Sequence, residues 1–451
     1  MLKRKKRNST RNCVFFACHS QLATSLTRKV GFFSVYYITP MFSIHPFRAL
    51  RPKQELAAEI SSLPYDVMNR EEAAKMAEGK PYSYLRVTRS EIELPEADPH
   101  SKEVYEHAKL NLKKMEREGV IFQEETPCFY IYRQTMEGRE QYGLVACVKA
   151  DDYFKGSIKK HELTRADKEE DRLCHILTTG AQTGPVFLTY RDKGQFALLK
   201  PALQKAPAYD FTAEDGIGHT VWIIDDEAAI ERLRVSFASL PCTYIADGHH
   251  RSDAGARASK AKAEANPEHK GNEEYSRFLA ILFPSTQLKI LDYNRLVKDL
   301  NKQSPEEFLD KLSEICNIEK QPGIAAPQKA KQFGLYLNRE WYSCEFHEKF
   351  CHKKDPVENL DVSLLQNLIL EPLLGIEDPR TSQRIDFVGG IRGLGALQAR
   401  VDSGECAAAF ALFPTSLDEL MDIADADGIM PPKSTWFEPK LRDGLLVHLL
   451  D

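Results

Sequence analysis

The sequence predicts a protein of mixed α/β class. Segments rich in β-branched and aromatic residues alternate with charged segments of helical periodicity along the whole chain. Hydrophobic residues make up 42% and charged residues 28% of the 451 residues, which is typical of a folded chain rather than a disordered one. The sequence contains no internal repeat and no low-complexity tract. The length suits two or three domains.

Changes in composition divide the chain into three predicted segments. Residues 1–40 carry eight Lys or Arg and no Asp or Glu, and form a basic extension. This extension is either a targeting segment or sequence upstream of a true start at Met41, and we leave it out of the fold prediction. Residues 41–285 are predicted to form an N-terminal α/β domain. Residues 286–451 are predicted to form a C-terminal α/β domain that completes the site.

The predicted elements of the first domain follow from caps, periodicity and turn residues. The amphipathic helix over residues 102–118 should direct Val104, Ala108, Leu110 and Met115 inward. In chain order, the other elements are a helix capped by Asn69, a strand at Tyr82–Val87, a hairpin of Cys128–Thr135 with Tyr142–Ala150, a strand at Tyr244–Ala246, and an Ala-rich helix at Ser252–Ala265.

The second domain shows the same alternation. Its predicted strands are 333–337, 341–346, Asp386–Val388 and Ala407–Phe413, and its predicted helices are 305–316, 361–370, 391–402 and 416–425.

Charge and cysteine usage exclude several classes of function. Beyond residue 40 the net charge is −13, against −5 for the whole chain, so nucleic acid is an unfavoured partner. The sequence has no run of about 18 apolar residues, so it predicts no membrane span. The ten cysteines are scattered without a C-x-x-C pair, which argues against a zinc ribbon or a thioredoxin motif. We expect a cytoplasmic protein with mostly buried cysteines.

The strongest predicted site is the run Asp-Gly-His-His-Arg between a strand and the Ala-rich helix. Gly248 permits a tight turn, and the helix that follows presents free N–H groups to an anion. Arg251 can bind phosphate through two hydrogen bonds, and His249 and His250 can donate hydrogen bonds or transfer protons. Asp247 can accept a proton or hold a divalent cation. The alternative is an ordinary helix start with exposed histidines.

A second polar group lies in residues 159–165. His161, Glu162 and Arg165 offer an imidazole, a base and a cation close together. The alternative is a solvated charged loop. The second histidine of the H-E-x-x-H motif is missing after Glu162, so a zinc-protease site is excluded.

Three further segments are weaker candidates. Asp386 precedes a Gly-Gly turn that could bind an anion, and Asp66 lies in a Pro-Tyr-Asp-Val turn from which it could reach a neighbouring site. Lys433, Ser434 and Thr435 resemble half of a phosphate-binding loop, but its upstream glycines are absent. The alternative is a structural turn for the Asp66 segment and a packed loop for the Asp386 and Lys433 segments.

These motifs occur together and in a fixed order along the chain. In this combination they resemble the family named Domain of Unknown Function 1015. The resemblance rests on Pro64–Val67, His161–Thr164, Ala246–Arg251, Asp386–Gly390 and Pro432–Phe437, and runs from about His45 to the end of the chain. It implies a cytoplasmic protein, often encoded near phosphoserine-pathway genes, for which no activity is settled.

The Asp-Gly-His-His-Arg run is also similar to the phosphate-binding turn of the ParB/sulfiredoxin superfamily, especially its free-serine kinases. This looser resemblance implies a ParB/sulfiredoxin-like phosphate-binding core with an additional α/β C-terminal domain. Gly248, His249, His250 and Arg251 would bind phosphate, and Asp247 would lie at the reacting centre. A sulfiredoxin would carry Cys in place of one of these histidines, so sulfinic-acid chemistry is not expected.

The leading hypothesis is an enzyme of phosphoryl chemistry on a small phosphorylated metabolite, a serine kinase or a phosphoserine phosphatase. Mg²⁺ and ATP or ADP are the expected cofactors. The alternatives are a ParB-like nucleotide-dependent DNA-binding regulator and a non-catalytic module that binds a phosphometabolite. The oligomeric state is left open. The assigned residues are Asp247, Glu162 and His250 for catalysis, with Gly248, His249, Arg251, His161, Arg165, Lys433, Ser434 and Thr435 for phosphate or nucleotide binding.

Overall fold

A computed structural model describes residues 42–451 of the chain. The basic segment 1–40, for which a targeting role or an upstream start was expected, lies outside the described residues.

The strands and α-helices of the described residues interleave along the chain. The strands are β1 Ile44–His45, β2 Leu50–Pro52, β3 Ile121–Gln123, β4 Phe129–Met136, β5 Arg139–Lys149, β6 Ile158–Lys159, β7 Ala181–Gln182, β8 Val186–Tyr190, β9 Tyr209–Thr212, β10 Gly218–Ile224, β11 Thr243–Asp247, β12 Arg277–Pro284, β13 Ile290–Leu291, β14 Tyr293–Val297, β15 Cys316–Gln321, β16 Gln332–Leu337, β17 Glu340–Phe346, β18 Ile385–Gly389, β19 Ala408–Leu412, β20 Trp436–Phe437 and β21 His448–Leu449. The helices are α1 Ala57–Ile60, α2 Arg70–Ala77, α3 Leu85–Thr88, α4 Lys102–Arg117, α5 Ala150–Phe154, α6 Ala166–Thr179, α7 Glu227–Phe237, α8 His249–Ala265, α9 Pro305–Ser313, α10 Asp361–Leu365, α11 Leu394–Asp402 and α12 Leu417–Asp425.

The first sheet has nine strands in the order β6-β11-β8-β12-β5-β4-β10-β9, with β1 paired to β5. The pairs β6/β11 and β8/β12 are parallel, and the other pairs are antiparallel. Helices α5 and α6 pack against α8, which in turn packs against β12. The predicted hairpin is confirmed as β4 and β5, which pair around a turn where Glu137 and Gly138 both have positive φ. The predicted mixed α/β class is confirmed.

The second sheet has six antiparallel strands in the order β15-β17-β16-β19-β14-β18. All of its strands lie within residues 293–412, whereas those of the first sheet lie within 44–284. One hydrophobic cluster nevertheless includes Phe187 and Phe283 from the first sheet and Phe410 from the second. The division into domains near residue 285 therefore stays a prediction.

The segment that follows α12 returns to the N-terminal half of the chain. Strand β21 pairs with β7, and the backbone of Val447 exchanges hydrogen bonds with that of Leu50. Asp443 exchanges backbone hydrogen bonds with Ser62 in the same way. We call residues 430–450 the return segment. It carries a part of the C-terminal half into contact with the N-terminal half.

Packing overrode the sequence pattern at two places near α4. The predicted strand at Tyr82–Val87 is wrong, because its apolar residues form the buried helical turn α3, which packs against α4. A short apolar run does not distinguish a strand from a buried helical turn. Leu110 was predicted to face inward but is 66% exposed, and Leu112 takes its place in the core.

The helices and the cysteines of the described residues each bear on an expectation from the sequence. Among helices within 42–451, none combines the length and the apolar character needed to cross a bilayer. Six of the eight cysteines in this part of the chain are buried, as predicted.

Candidate functional site

The strand-to-helix turn after β11 is built around one glycine. Gly248 has φ +88° and ψ 38°, a left-handed conformation that side chains disfavour, and a Cβ there would lie 3.0 Å from Arg251 Nε. Helix α8 begins directly afterwards at His249, earlier than predicted. Within the described residues no side chain caps this helix, so its first N–H groups point toward the space in front of the turn.

Asp247 lies at the end of β11 and is held by two cations. Its Oδ2 is 3.1 Å from Lys440 Nζ and 3.8 Å from Arg251 Nη2, and its Oδ1 accepts the Gly248 N–H at 2.9 Å. Burial alone would raise the pKa of Asp247, but the Lys440 and Arg251 charges hold that pKa well below its usual range. Asp247 is therefore a carboxylate near neutral pH.

Arg251 is part of the wall of the site rather than a free cation. Its side chain is 8% exposed, and Nη1 donates to the Pro185 carbonyl oxygen at 2.6 Å. Burial opposes its charge, whereas Asp66 and Asp247 raise the pKa of the guanidinium above its usual value. Because Arg251 is buried among carboxylates, its removal would disturb the fold as well as any bound anion.

His161, Glu162 and His249 come together in front of α8, and we call them the His-Glu-His group. The two imidazole rings meet edge to face with centroids 4.5 Å apart, and His249 Nδ1 is 3.8 Å from Glu162 Oε2. One nitrogen or oxygen from each residue lies within 4.8 Å of the others. The return segment supports the group, because the Met430 N–H donates to the His161 carbonyl oxygen at 2.8 Å.

Burial keeps both imidazoles of the group neutral. It lowers the pKa of His161 to about 4, and burial together with the neighbouring His161 lowers the pKa of His249 well below its usual value. His161 is 1% and His249 5% exposed. Neither nitrogen of His161, nor Nε2 of His249, has a hydrogen-bond partner among the described residues.

Glu162 is the most accessible member of the group, with 48% of its side chain exposed. Partial burial and the negative charge of Asp247 raise the pKa of Glu162, and Lys433 opposes this shift. The site thus contains two carboxyl groups whose pKa values are moved in opposite directions. Such a division separates a permanently charged group from one that can exchange a proton.

His250 and Arg165 are joined at the start of α6. The Arg165 backbone N–H donates to His250 Nε2 at 3.1 Å, while the Arg165 guanidinium pairs with Asp167 at 2.7 Å. Burial lowers the pKa of His250, which suits an imidazole nitrogen that accepts a hydrogen bond. Asp66 is exposed and lies near enough for its charge to act on His250 and Arg251.

The remaining predicted residues differ in their surroundings. Lys433 is exposed with φ +58°, and its charge acts on Glu162. Ser434 is buried and donates from Oγ to the Pro431 carbonyl oxygen at 2.6 Å, so its hydroxyl stabilises the loop, and Thr435 is half-buried beside it. Asp386 lies in β18, where its carboxylate pairs with Arg400 at 2.6 Å and not with the residues of the turn at Gly248.

The Gly-Gly turn after Asp386 supports the site through close packing. A Cβ on Gly389 would lie 2.8 Å from the Trp436 ring, so only glycine lets β18 approach this side chain. Trp436 donates from Nε1 to Glu438 Oε1 at 3.0 Å, and Lys440 Nζ lies 5.0 Å from the centre of the Trp436 ring. The turn thus fixes the residues that flank Lys440.

Lys440 belongs to the candidate site and was not predicted from the sequence. It contacts Asp247, 193 residues earlier in the chain, and is largely buried. Burial would lower the pKa of Lys440, but Asp247 and Glu438 raise it, so the ammonium stays charged. No local motif marks this lysine, because its partner is brought to it only by the return segment.

A protein-family model described as "protein of unknown function (DUF1015)" matches residues 44–363, more than half of the chain. The chain belongs to the DUF1015 family. The match includes Asp66, the His161 loop and the Asp247 turn, and ends before Lys433 and Lys440. It confirms the resemblance seen in the sequence, which was expected to extend to the end of the chain. No curated protein sequence matches significantly.

Several solved structures are similar to this DUF1015 protein. A mutant free serine kinase in complex with AMP has 13% identity and a TM-score of 0.34, covering 67% of this chain and 92% of its own. A conserved hypothetical protein from Pyrococcus furiosus has 13% identity and a TM-score of 0.34, with coverages of 68% and 95%. C-terminally truncated SbnI from Staphylococcus aureus has 11% identity and a TM-score of 0.35, with coverages of 68% and 87%. TM-scores of this size assign neither a ligand nor an activity.

Proposed function

We propose that this protein binds a small phosphorylated metabolite in front of α8 and performs phosphoryl chemistry on it. The reaction would be of the serine kinase or phosphoserine phosphatase type. The observation that carries the proposal is the uncapped start of α8 after Gly248, which faces cations supplied by distant parts of the chain. Backbone N–H groups and fixed positive charges are what a phosphoryl group requires from a protein.

The charges around the turn support an anionic ligand. Lys440 is neutralised in part by Asp247, whereas Lys433 is exposed at the entrance beside Glu162. In the proposed complex the phosphoryl oxygens accept hydrogen bonds from the first N–H groups of α8 and from Lys433. Arg251 and Lys440 then hold the turn and Asp247 in place.

The two carboxyl groups suit different roles in such a reaction. Glu162 has a raised pKa and an accessible side chain, so it would exchange the proton of the attacking hydroxyl or water. Asp247 stays ionised and would keep the cations of Lys440 and Arg251 in place beside the reacting centre. His250 would orient the ligand from the side of Arg165, since its neutral ring retains one N–H donor.

The cofactor requirement separates the two reaction types. A kinase requires ATP or ADP with Mg²⁺ as well as serine, whereas a phosphatase requires only the phosphorylated metabolite and a nucleophile. A thermal-shift screen with serine, phosphoserine, ATP, ADP and Mg²⁺, followed by product analysis of each hit, tests the proposal.

We expect phosphoserine or a nucleotide to raise the melting temperature by several degrees and product to form from the same ligand. Stabilisation without product would indicate the non-catalytic binding module instead. If no phosphorylated compound in the screen stabilises the protein at millimolar concentration, the proposal is wrong. A gel-shift measurement at low salt addresses the ParB-like DNA-binding alternative, for which the acidic chain predicts no shift.

A further inference from the structure

The His-Glu-His group has an unusual environment for buried polar side chains. His161 and His249 come from separate segments, yet their rings meet directly at 4.5 Å. Within residues 42–451, neither nitrogen of His161 has a polar partner. His249 has Glu162 near Nδ1, but its Nε2 has no partner there either. Buried imidazole nitrogens are nearly always hydrogen-bonded or bound to a metal ion. The nitrogens of these adjacent rings that have no partner among the described residues therefore point to a ligand that both rings can share.

We propose that His161, Glu162 and His249 bind one divalent transition-metal ion, with Zn²⁺ as the representative ion. One donor atom from each residue already lies within 4.8 Å of the other two. Bonds of about 2.0–2.1 Å to a tetrahedral ion require donor atoms to be about 3.3 Å apart. Donor atoms at the 4.8 Å limit would therefore have to approach one another by about 1.5 Å when the ion binds.

The donor set selects the kind of metal ion. Two imidazole nitrogens and one carboxylate oxygen suit Zn²⁺, Fe²⁺, Co²⁺ or Mn²⁺, whereas Mg²⁺ prefers a shell of oxygen atoms and water. Both nitrogens of His161 and Nε2 of His249 are buried without a hydrogen-bond partner among the described residues, so they are free to bind an ion. The side chain of Glu162 is 48% exposed, so the group is open to solvent on this side. The sequence alone excluded the local zinc motif, and the fold supplies the second histidine from α8.

Three protein ligands leave at least one coordination position for another molecule. If the proposed function holds as well, a phosphoryl oxygen in front of α8 would occupy that position, and Glu162 would serve as an ion ligand instead of exchanging a proton. The metal site itself does not depend on that proposal, because ion binding can be measured without any phosphorylated compound. A simple ion pair of Glu162 with His249 explains the contacts less well, because the 3.8 Å between Nδ1 and Oε2 is too long for a hydrogen bond and the pair leaves both nitrogens of His161 without a partner among the described residues.

The test is to measure metal content and affinity in the full chain. Protein freed of metal with a chelator is titrated with Zn²⁺ by calorimetry, and with Co²⁺ by visible absorption, which reports nitrogen ligands and a low coordination number. We expect one equivalent of Zn²⁺ in the wild-type protein. Glu162→Gln, His161→Gln and His249→Gln should each weaken binding at least tenfold.

His250→Gln is the matched control, since this histidine is adjacent to His249 but contacts Arg165 instead. It should retain one equivalent of Zn²⁺. Glu162→Gln decides the outcome if the buried histidine variants do not fold, because the side chain of Glu162 is half-exposed. The proposal is overturned if the wild-type protein binds no stoichiometric Zn²⁺, or if Glu162→Gln binds it as tightly as His250→Gln does. If the protein binds Zn²⁺ stoichiometrically but binds neither phosphoserine nor a nucleotide, only the proposed function is contradicted.

Discussion

At the scale of single residues, Asp247 and Glu162 show how position determines the chemistry of a carboxyl group. Lys440 and Arg251 keep Asp247 ionised, whereas burial and the charge of Asp247 itself raise the pKa of Glu162. The sequence identified both residues because they lie in polar runs next to a glycine turn and a histidine. It could not identify Lys440, whose only distinction is a contact made by the folded chain.

Lys433 provides the most direct mutational test of the anion site. Lys433→Gln should weaken binding of a stabilising phosphorylated ligand about tenfold, or about 1.4 kcal/mol, because a charge-assisted hydrogen bond is lost. Calorimetry with the best ligand from the screen would measure this change. Lys302→Gln is the matched control, since Lys302 is also exposed and has a similar φ of 63°. Equal affinities of both variants would remove Lys433 from the site.

Buried histidines predict how stability depends on pH. His175 is buried and donates from Nε2 to the Val87 carbonyl oxygen, and burial together with Arg172 lowers its pKa to about 4. The unfolded chain binds this proton near pH 6.5, so the stabilising effect is present above pH 6.5 and is lost as the pH falls toward 4. The loss should reach roughly 2 kcal/mol by pH 4.5 for this group.

Urea unfolding at pH 7 and pH 4.5 would measure the effect. The His175→Gln variant keeps a hydrogen-bond donor but no longer titrates, so its free energy of unfolding should fall less between the two pH values. The same fall in both proteins would show that His175 does not contribute to acid sensitivity.

At the scale of elements, the sequence correctly predicted helix starts that are determined by residues next to them in the chain. The capping box of Asn69 with Glu72 starts α2 as predicted, and the glycine turn starts α8. The prediction failed at α3, where packing rather than propensity decides between a strand and a helical turn. It also failed for Leu110, because the inner stripe of α4 runs through Ala108, Leu112 and Met115.

Two leucines on α4 form a matched pair for stability measurements. Leu112 is buried, so Leu112→Ala should reduce the free energy of unfolding by about 3 kcal/mol through lost burial and a residual cavity. Leu110 is exposed, so Leu110→Ala should change it by less than about 0.5 kcal/mol. Denaturant unfolding of both variants tests the assignment, and a reversed order would mean that the register of α4 is wrong.

The contact of Gly389 with Trp436 predicts an effect on both stability and the site. Gly389→Ala should destabilise the protein by about 1–3 kcal/mol, since the added methyl group must displace the indole ring beside Lys440. Ligand binding should weaken in the same variant. Gly395→Ala is the control in α11, where an added Cβ meets no described atom within 4 Å and alanine favours the helix. Unchanged stability of Gly389→Ala would show that this close packing is unimportant.

At the scale of the whole molecule, the site depends on contacts between the two halves of the chain. The return segment places Lys440 beside Asp247 and pairs β21 with β7, and one hydrophobic cluster extends from the first sheet into the second. The alternation of strands and helices was enough to predict the α/β class. The sequence could not reveal the return segment, because pairing between distant segments leaves no local periodicity.

The return segment also predicts that residues 41–285 do not form a fully stable unit alone. Such a fragment lacks the partners of β7, Leu50 and Asp247. We expect it to unfold at a much lower denaturant concentration than the full chain, or to aggregate, as measured by circular dichroism and light scattering. A fragment with the stability of the full chain would instead support two independent domains.

The position of Lys440 outside both large sheets also affects how inherited changes would act. A frameshift or a premature stop codon between residues 426 and 439 would spare every strand of the nine-stranded and six-stranded sheets, yet it would delete the lysine that holds Asp247. Such an allele could still direct the synthesis of both sheets. Its product would lack Lys440 together with the pairing of β21 with β7 and of Val447 with Leu50, so one late change would remove part of the candidate site and stabilising contacts of the N-terminal half.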